Sequence, residues 1–246
     1  MDGLSRGGSM EAMELEKERL PLALEPGMTL TDAAYRALRR DIITGVRQPK
    51  ERLRIERLSR LYGVGPTPLR EALQRLAADG LVIATGNRGF SVAPLDMDEF
   101  VDLNLARTTV EVQMLAMAID KGDAEWEAQL VAAAYRLEKL DARLRSEDES
   151  ALSEWESANS AFHLATVSAC GSKWLLHVRQ LLHAQCDRYR RASVGLKRHE
   201  RDLAAEHRAI LEAVLARDAD LAGRLVTEHF RRTTEQLLQE HAKSGD

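Results

Sequence analysis

Four residues, Gly63-Val64-Gly65-Pro66, constrain this chain more than any other feature, because they stop one short amphipathic helix and open the next. Ile55, Leu58 and Leu61 recur at helical spacing before them, and Leu69, Ala72, Leu73 and Leu76 after them, so two helices bury their apolar faces together across a very short turn. That connection has the length and the turn residues of a helix-turn-helix. An earlier helix is marked by Ala34, Leu38, Ile42 and Ile43, with Thr29 or Thr31 as its cap and Gly45 at its end. Residues 81–84 and 90–93 are short β-prone runs around Thr85-Gly86-Asn87-Arg88-Gly89, which predicts a small β-hairpin, a wing beside the helices.

Beyond Pro94 the pattern is helical to the end. Its breaks predict helices near 98–121, 123–146, 149–169, 172–193, 198–216 and 219–242, packed as an antiparallel six-helix bundle around one core. The expected fold class is therefore mostly α, a winged helix-turn-helix followed by that bundle. Residues 1–28 have too little apolar periodicity to order themselves and are expected to form a mobile tail, with domains at 29–95 and 96–246. Charge divides at the same place. Residues 29–95 hold 12 Arg and Lys against 6 Asp and Glu, and residues 96–246 hold 20 against 27, so a basic module is joined to an acidic one. The basic half suits a polyanion.

No apolar run reaches the length of a membrane span and the N-terminus lacks the pattern of a secretory signal, so no membrane partner and a cytoplasmic location are expected. Cys170 and Cys186 are then expected to be reduced packing residues. No HExxH motif, activated Ser or Cys, or paired catalytic carboxylates occur, so no catalytic residue is assigned and the chain is read as not an enzyme.

A helix that enters the major groove presents polar and basic side chains near its N-terminus while its other face packs on the domain. Thr67 and Arg70, with Gln74 nearby, meet the first condition, and Leu69, Leu73 and Leu76 the second. Arg88 and Gly89 form a small cationic wing tip suited to the minor groove or its backbone. The run from Gly63 to Leu73, followed by Asp79-Gly80-Leu81-Val82 and Asn87-Arg88-Gly89, resembles the DNA-binding signature of the GntR family of bacterial transcription regulators over residues 30–95. The family usually has Ser-Arg where this chain has Gly65-Pro66. A basic contact at the head of the recognition helix is therefore missing, and Arg54 or Arg57 on the preceding helix is the candidate to supply it.

His163, His207 and His229 lie on three different predicted helices, each near the core-facing stripe, and Asn159 stands one turn before His163 on the same face. Imidazoles with an oxygen donor suit zinc, nickel or a similar divalent ion, but buried histidines are also ordinary core residues, and spacing leaves both readings open. Asn159 with His163, then His207 with His229, is similar to the metal-ligand pattern of the FCD effector domain in the FadR subgroup of the family. Six helices match its shorter, VanR-like form. Where the family commonly has Asp this chain has Asn159, an uncharged and weaker ligand, so the resemblance implies a metal site of reduced affinity or direct contact between the histidines and the effector.

Arg107 and Glu111, one turn apart, correspond to a family Arg and Glu that face the effector cavity, and Arg188 is a second candidate cation. A buried Arg calls for an anion, so the implied effector is a small carboxylate. The Gly-Pro variant is similar to that of the family's regulators of glutarate and 4-aminobutyrate utilisation, which points to glutarate or 2-hydroxyglutarate. The reading that results is a homodimeric repressor of a double-stranded DNA operator, released by that acid. Its alternatives are a metal-dependent enzyme acting on a small acid and a helical dimerisation scaffold without ligand.

Overall fold

Thr29 starts the first helix by accepting a hydrogen bond from the Asp32 amide at 3.1 Å, and Gly45, at φ 78°, turns the chain away from its end. This helix is α1 (Leu30–Ile43). The computed structural model describes residues 22–85, 89–145, 149–192 and 201–244. The chain divides into two compact units, Met1–Asp96 and Met97–Asp246. Most of the expected tail, residues 1–21, lies outside the described residues.

In the first unit α2 (Ile55–Tyr62) ends at Gly63, whose φ of 67° is left-handed, and α3 (Pro66–Ala78) opens with a proline, which lacks the amide hydrogen that a first helical turn cannot satisfy. Leu69, Leu73 and Leu76 of α3 are fully buried against Leu38, Leu58, Leu81 and Val92. The wing is a three-stranded antiparallel sheet, β1 (Arg52–Leu53), β2 (Val82–Ala84) and β3 (Phe90–Val92), in the order β1-β3-β2. Val82 pairs with Val92 and Ala84 with Phe90, and the Thr85 amide donates to the Gly89 carbonyl at 2.9 Å. The sequence predicts only the hairpin. The added strand is two residues long, too short to show alternation, and is held by backbone pairing of residues 50–53 with β3.

Among the described residues the second unit has six helices, α4 (Met97–Lys121), α5 (Ala124–Arg145), α6 (Leu152–Val167), α7 (Lys173–Ala192), α8 (Leu203–Leu215) and α9 (Ala219–Ser244). α4 packs against α6, α7 and α9, and α5 against α6 and α8. Met114, Leu115, Leu130, Phe162, Val214 and Phe230 fill the middle. The expected helix at 149–169 is shorter, with 3-10 turns at Glu149–Ala151 and Ser168–Cys170 on either side of α6. α8 begins at Leu203, where the Asp202 carboxylate accepts from the Ala205 amide at 3.0 Å; residues 198–200 of its expected beginning lie outside the described residues. Cys170 and Cys186 are free and buried. Among the described residues no helix is long and apolar enough to cross a membrane.

Candidate functional site

The exposed face of α3 is set by the burial of the opposite one. With Leu69, Leu73 and Leu76 inside, Thr67, Arg70 and Gln74 are outside, at i, i+3 and i+7. The first turn of α3 contains no acidic side chain, so the positive end of its dipole meets no local counter-charge. Arg75, further along, is committed: it pairs with Asp32 at 2.7 Å and lies 4.4 Å over the Tyr35 ring. Arg70 has no such partner among the described residues, and neither do Arg54, at the N-cap of α2, and Arg57, on its exposed side. Gly89 closes the wing at φ 96°, whereas Arg88 lies outside the described residues.

In the second unit α6, α8 and α9 bring His163, His207 and His229 together, with one ring nitrogen from each within 4.8 Å of the others. All three are buried, as is Asn159 one turn before His163. Among the described residues neither ring nitrogen of His207 has a hydrogen-bond partner. An imidazole buried without a partner costs free energy, and a metal ion is one partner that its lone pair could take. Burial pushes His163 and His207 well below the ordinary imidazole value, helped by the neighbouring His229, and pushes His229 down too. The neutral ring is the form that ligates metal.

His229 is fixed from behind. Its Nδ1 lies 2.8 Å from Glu206 Oε2, and Arg201 donates to the His229 carbonyl at 2.8 Å and binds Glu206 with both its Nε and Nη2. Burial opposes ionisation of Glu206, but the hydrogen bonds from His229 and Arg201 win and hold its carboxyl far below the usual carboxylate range. The ionised Glu206 therefore accepts a hydrogen bond from His229 Nδ1–H and leaves Nε2 with its lone pair, as carboxylates behind metal-binding histidines do. Nothing in the sequence marks this pair, because Glu206 serves a ring 23 residues away and not its neighbour His207.

Asn104, Arg107, Asn159, His163, Arg190 and His229 surround a small cavity of about 30 Å³, which shares Asn159, Arg190 and His229 with an adjoining cleft of about 70 Å³. One water takes roughly 10–15 Å³ on that scale, so the joined space suits an ion and a small acid. Arg107 lies 3.9 Å over the Phe230 ring and donates to Glu111 Oε1 at 2.9 Å. Arg188 does not reach the cavity: it is buried and donates to Gln185 at 2.8 Å. Cys186 and Arg190 line the cavity along one stripe of α7, and Arg188, two residues from each, points the other way. Arg190, paired with Glu156 and with Asp187, is thus a cavity cation that the sequence does not single out, together with Arg179 on the same stripe.

Ser160, His183 and Asp187 have the composition of a catalytic triad without its geometry. Ser160 Oγ at 3.1 Å and Asp187 Oδ2 at 3.5 Å both face the same ring nitrogen, His183 Nε2. A triad needs the nucleophile and the acid on opposite nitrogens, so Ser160 is not activated.

The description "Bacterial regulatory proteins, gntR family" matches residues 30–92, and "FCD domain" matches residues 102–232. The HTH-type transcriptional repressor GlaR of Escherichia coli is 40% identical over 208 residues, covering 82% of this chain and 94% of that protein. The HTH-type transcriptional regulator BphR of Paraburkholderia xenovorans is 36% identical over 219 residues, covering 89% of each. Among solved structures, E. coli McbR/YncC superposes with a TM-score of 0.74 at 20% identity, over 87% of this chain and 99% of that one, which shows a shared fold.

Proposed function

The chain belongs to the gntR family of bacterial regulatory proteins and carries an FCD domain, and from that we propose that it is a DNA-binding transcriptional repressor whose helical unit takes up a small carboxylate. Residues 29–95 read the operator and residues 96–246 sense the ligand and pair two copies into a homodimer, so that two α3 helices meet the half-sites of a pseudo-palindrome. Thr67 and Arg70 lie toward the base edges. Arg54 and Arg57 lie along the phosphates, Gly89 belongs to the wing at the minor groove or its backbone, and Arg88 of the same wing is outside the described residues.

The observation that carries the sensing half is the meeting of three buried imidazoles beside Arg107. His163, His207 and His229, with Asn159 as an oxygen donor, suit zinc or nickel. Such an ion, when bound, supplies a Lewis-acidic anchor for one carboxylate oxygen. Arg107 offers that acid a charge-assisted hydrogen bond, Phe230 holds the guanidinium flat, and Glu206 orients His229. Glutarate or 2-hydroxyglutarate has the charge and reach for the joined space.

The test is a salt-titrated binding assay of the full chain on its own upstream DNA, with each acid added. A tenfold release corresponds to about 1.4 kcal/mol of preference for the ligand-bound, non-DNA arrangement. Release by acid in the wild type and none in Arg107→Ala is the expected result. Release that survives Arg107→Ala overturns the ligand assignment, and the absence of any binding to that DNA overturns the regulator reading.

A further inference from the structure

Arg179 on α7 keeps 3% of its surface exposed, and among the described residues neither its Nε nor its Nη2 has a hydrogen-bond partner. Its Nε lies 3.5 Å from Glu111 Oε1, beyond a good hydrogen bond, and that same oxygen already accepts from Arg107 at 2.9 Å. Two buried guanidiniums thus face one carboxylate oxygen: Arg107 is hydrogen-bonded to it, and Arg179 is paired with it by charge at the longer distance. The nearby acid on α7, Asp187, is engaged by Arg190 at 2.8 Å, and Glu156 is taken by Arg190 as well. An arginine does not shed its proton, so Arg179 stays charged with donors unused in an interior where unused donors are costly.

We infer that Arg179 is the exchange partner of Glu111, taking over that carboxylate when a ligand carboxylate takes Arg107. The need for it follows from charge. An acid at Arg107 brings a second anion to a guanidinium that Glu111 already holds, and two carboxylates on one buried cation repel. If Glu111 let go of Arg107 without moving, it would be a buried carboxylate with no close hydrogen bond from either guanidinium. Closing the 3.5 Å gap to Arg179 removes that obstacle with a movement smaller than one bond length. Arg179 then governs affinity for an acid that it never touches, and the exchange ties ligand binding on α4 to the position of α7.

The exchange rests on a carboxylate at Arg107, yet the two are separable by experiment. Calorimetric titration of the full chain with glutarate is expected to show about a tenfold loss of affinity in Arg179→Met, the scale of an ordinary coupling between sites, and partial recovery in Arg179→Lys. The double variant Glu111→Gln with Arg179→Met is expected to return toward wild-type affinity, because a neutral amide no longer competes for Arg107. A double variant as weak as Arg179→Met means that Arg179 binds the acid directly, and overturns the exchange. Affinity lost in Arg107→Ala but unchanged in Arg179→Met also overturns it while leaving the carboxylate reading intact, whereas unchanged affinity in Arg107→Ala removes that reading itself. Melting without ligand gives a further readout: Arg179→Met is expected to match or exceed the wild-type Tm, because it removes unsatisfied donors. A lower Tm marks Arg179 as a structural ion-pair partner and overturns the exchange, even if glutarate binds neither protein.

Discussion

In the winged-helix unit Arg54, Arg57 and Arg70 stand in solvent with no ion pair among the described residues, whereas in the helical unit Arg107, Arg179 and Arg188 are buried. An exposed, unpaired guanidinium costs little to keep, because water solvates it until a polyanion arrives, and its binding is then screened by salt. A buried one is costly unless its acceptors are built in, as Glu111 is for Arg107 and Gln185 for Arg188. The first arrangement suits a long charged surface that comes and goes. The second suits a small anion enclosed on all sides, with little dependence on salt.

The largest expected effect tests the enclosed side. If the imidazole cluster holds an ion, chelation of the purified protein removes about 4 kcal/mol of ligand-linked stability when metal stands a thousandfold above its Kd, and lowers Tm by roughly 10 °C. His207→Ala is expected to melt at the same temperature with and without chelator. A wild-type Tm that ignores chelation leaves the cluster as a structural core and weakens the contrast between the units. Next in size is the open side. Arg70→Glu is expected to lose about 3 kcal/mol of operator affinity, roughly two orders of magnitude, in a fluorescence anisotropy titration, while glutarate binding by the helical unit stays unchanged.

How far each unit could be read from sequence follows from the same contrast. The winged helix is written in local signals: the Gly63 stop, the Pro66 start and the apolar repeat of α3 each act within a few residues, so its architecture is legible. Its missed piece, β1, exists only through pairing with β3. In the bundle, helical periodicity marks the six helices but not which polar residues meet. His163, His207 and His229 stood out because histidines near an apolar stripe are conspicuous, and the fold brings them together. Arg179 and Arg190 did not, because an arginine within a helix is ordinarily solvated, and only the packing of α7 shows that Arg179 is buried and Arg190 partly so. Arg188 drew attention in their place, half a helical turn out of phase.

A smaller effect separates the units by stability. Tyr62 donates to Asp41 at 2.5 Å inside the winged helix, an acceptor that also takes a hydrogen bond from Arg40 at 3.1 Å. Tyr62→Phe is expected to cost about 2 kcal/mol, because it removes a buried hydrogen bond to a charged group. Hydrogen exchange at the amides of Leu38 and Leu73 should quicken accordingly. Tryptophan fluorescence should not move, since Trp126, Trp155 and Trp174 all lie in the other unit. A fluorescence change in step with exchange makes the two units one cooperative body.

The smallest effect is also the most discriminating. If Arg57 neutralises one phosphate, Arg57→Gln lowers the slope of log affinity against log salt by about 1 and weakens binding alike on operator and on unrelated DNA. Arg75 is the matched control, another exposed arginine in the same unit but one already paired with Asp32. Arg75→Gln is expected to leave the slope where it was, because its charge is balanced within the protein. Equal slopes for the two variants mean that an intramolecular partner makes no difference to how an exposed arginine meets DNA. The distinction drawn here between free and committed cations would then fail on the side of the molecule where it is easiest to measure.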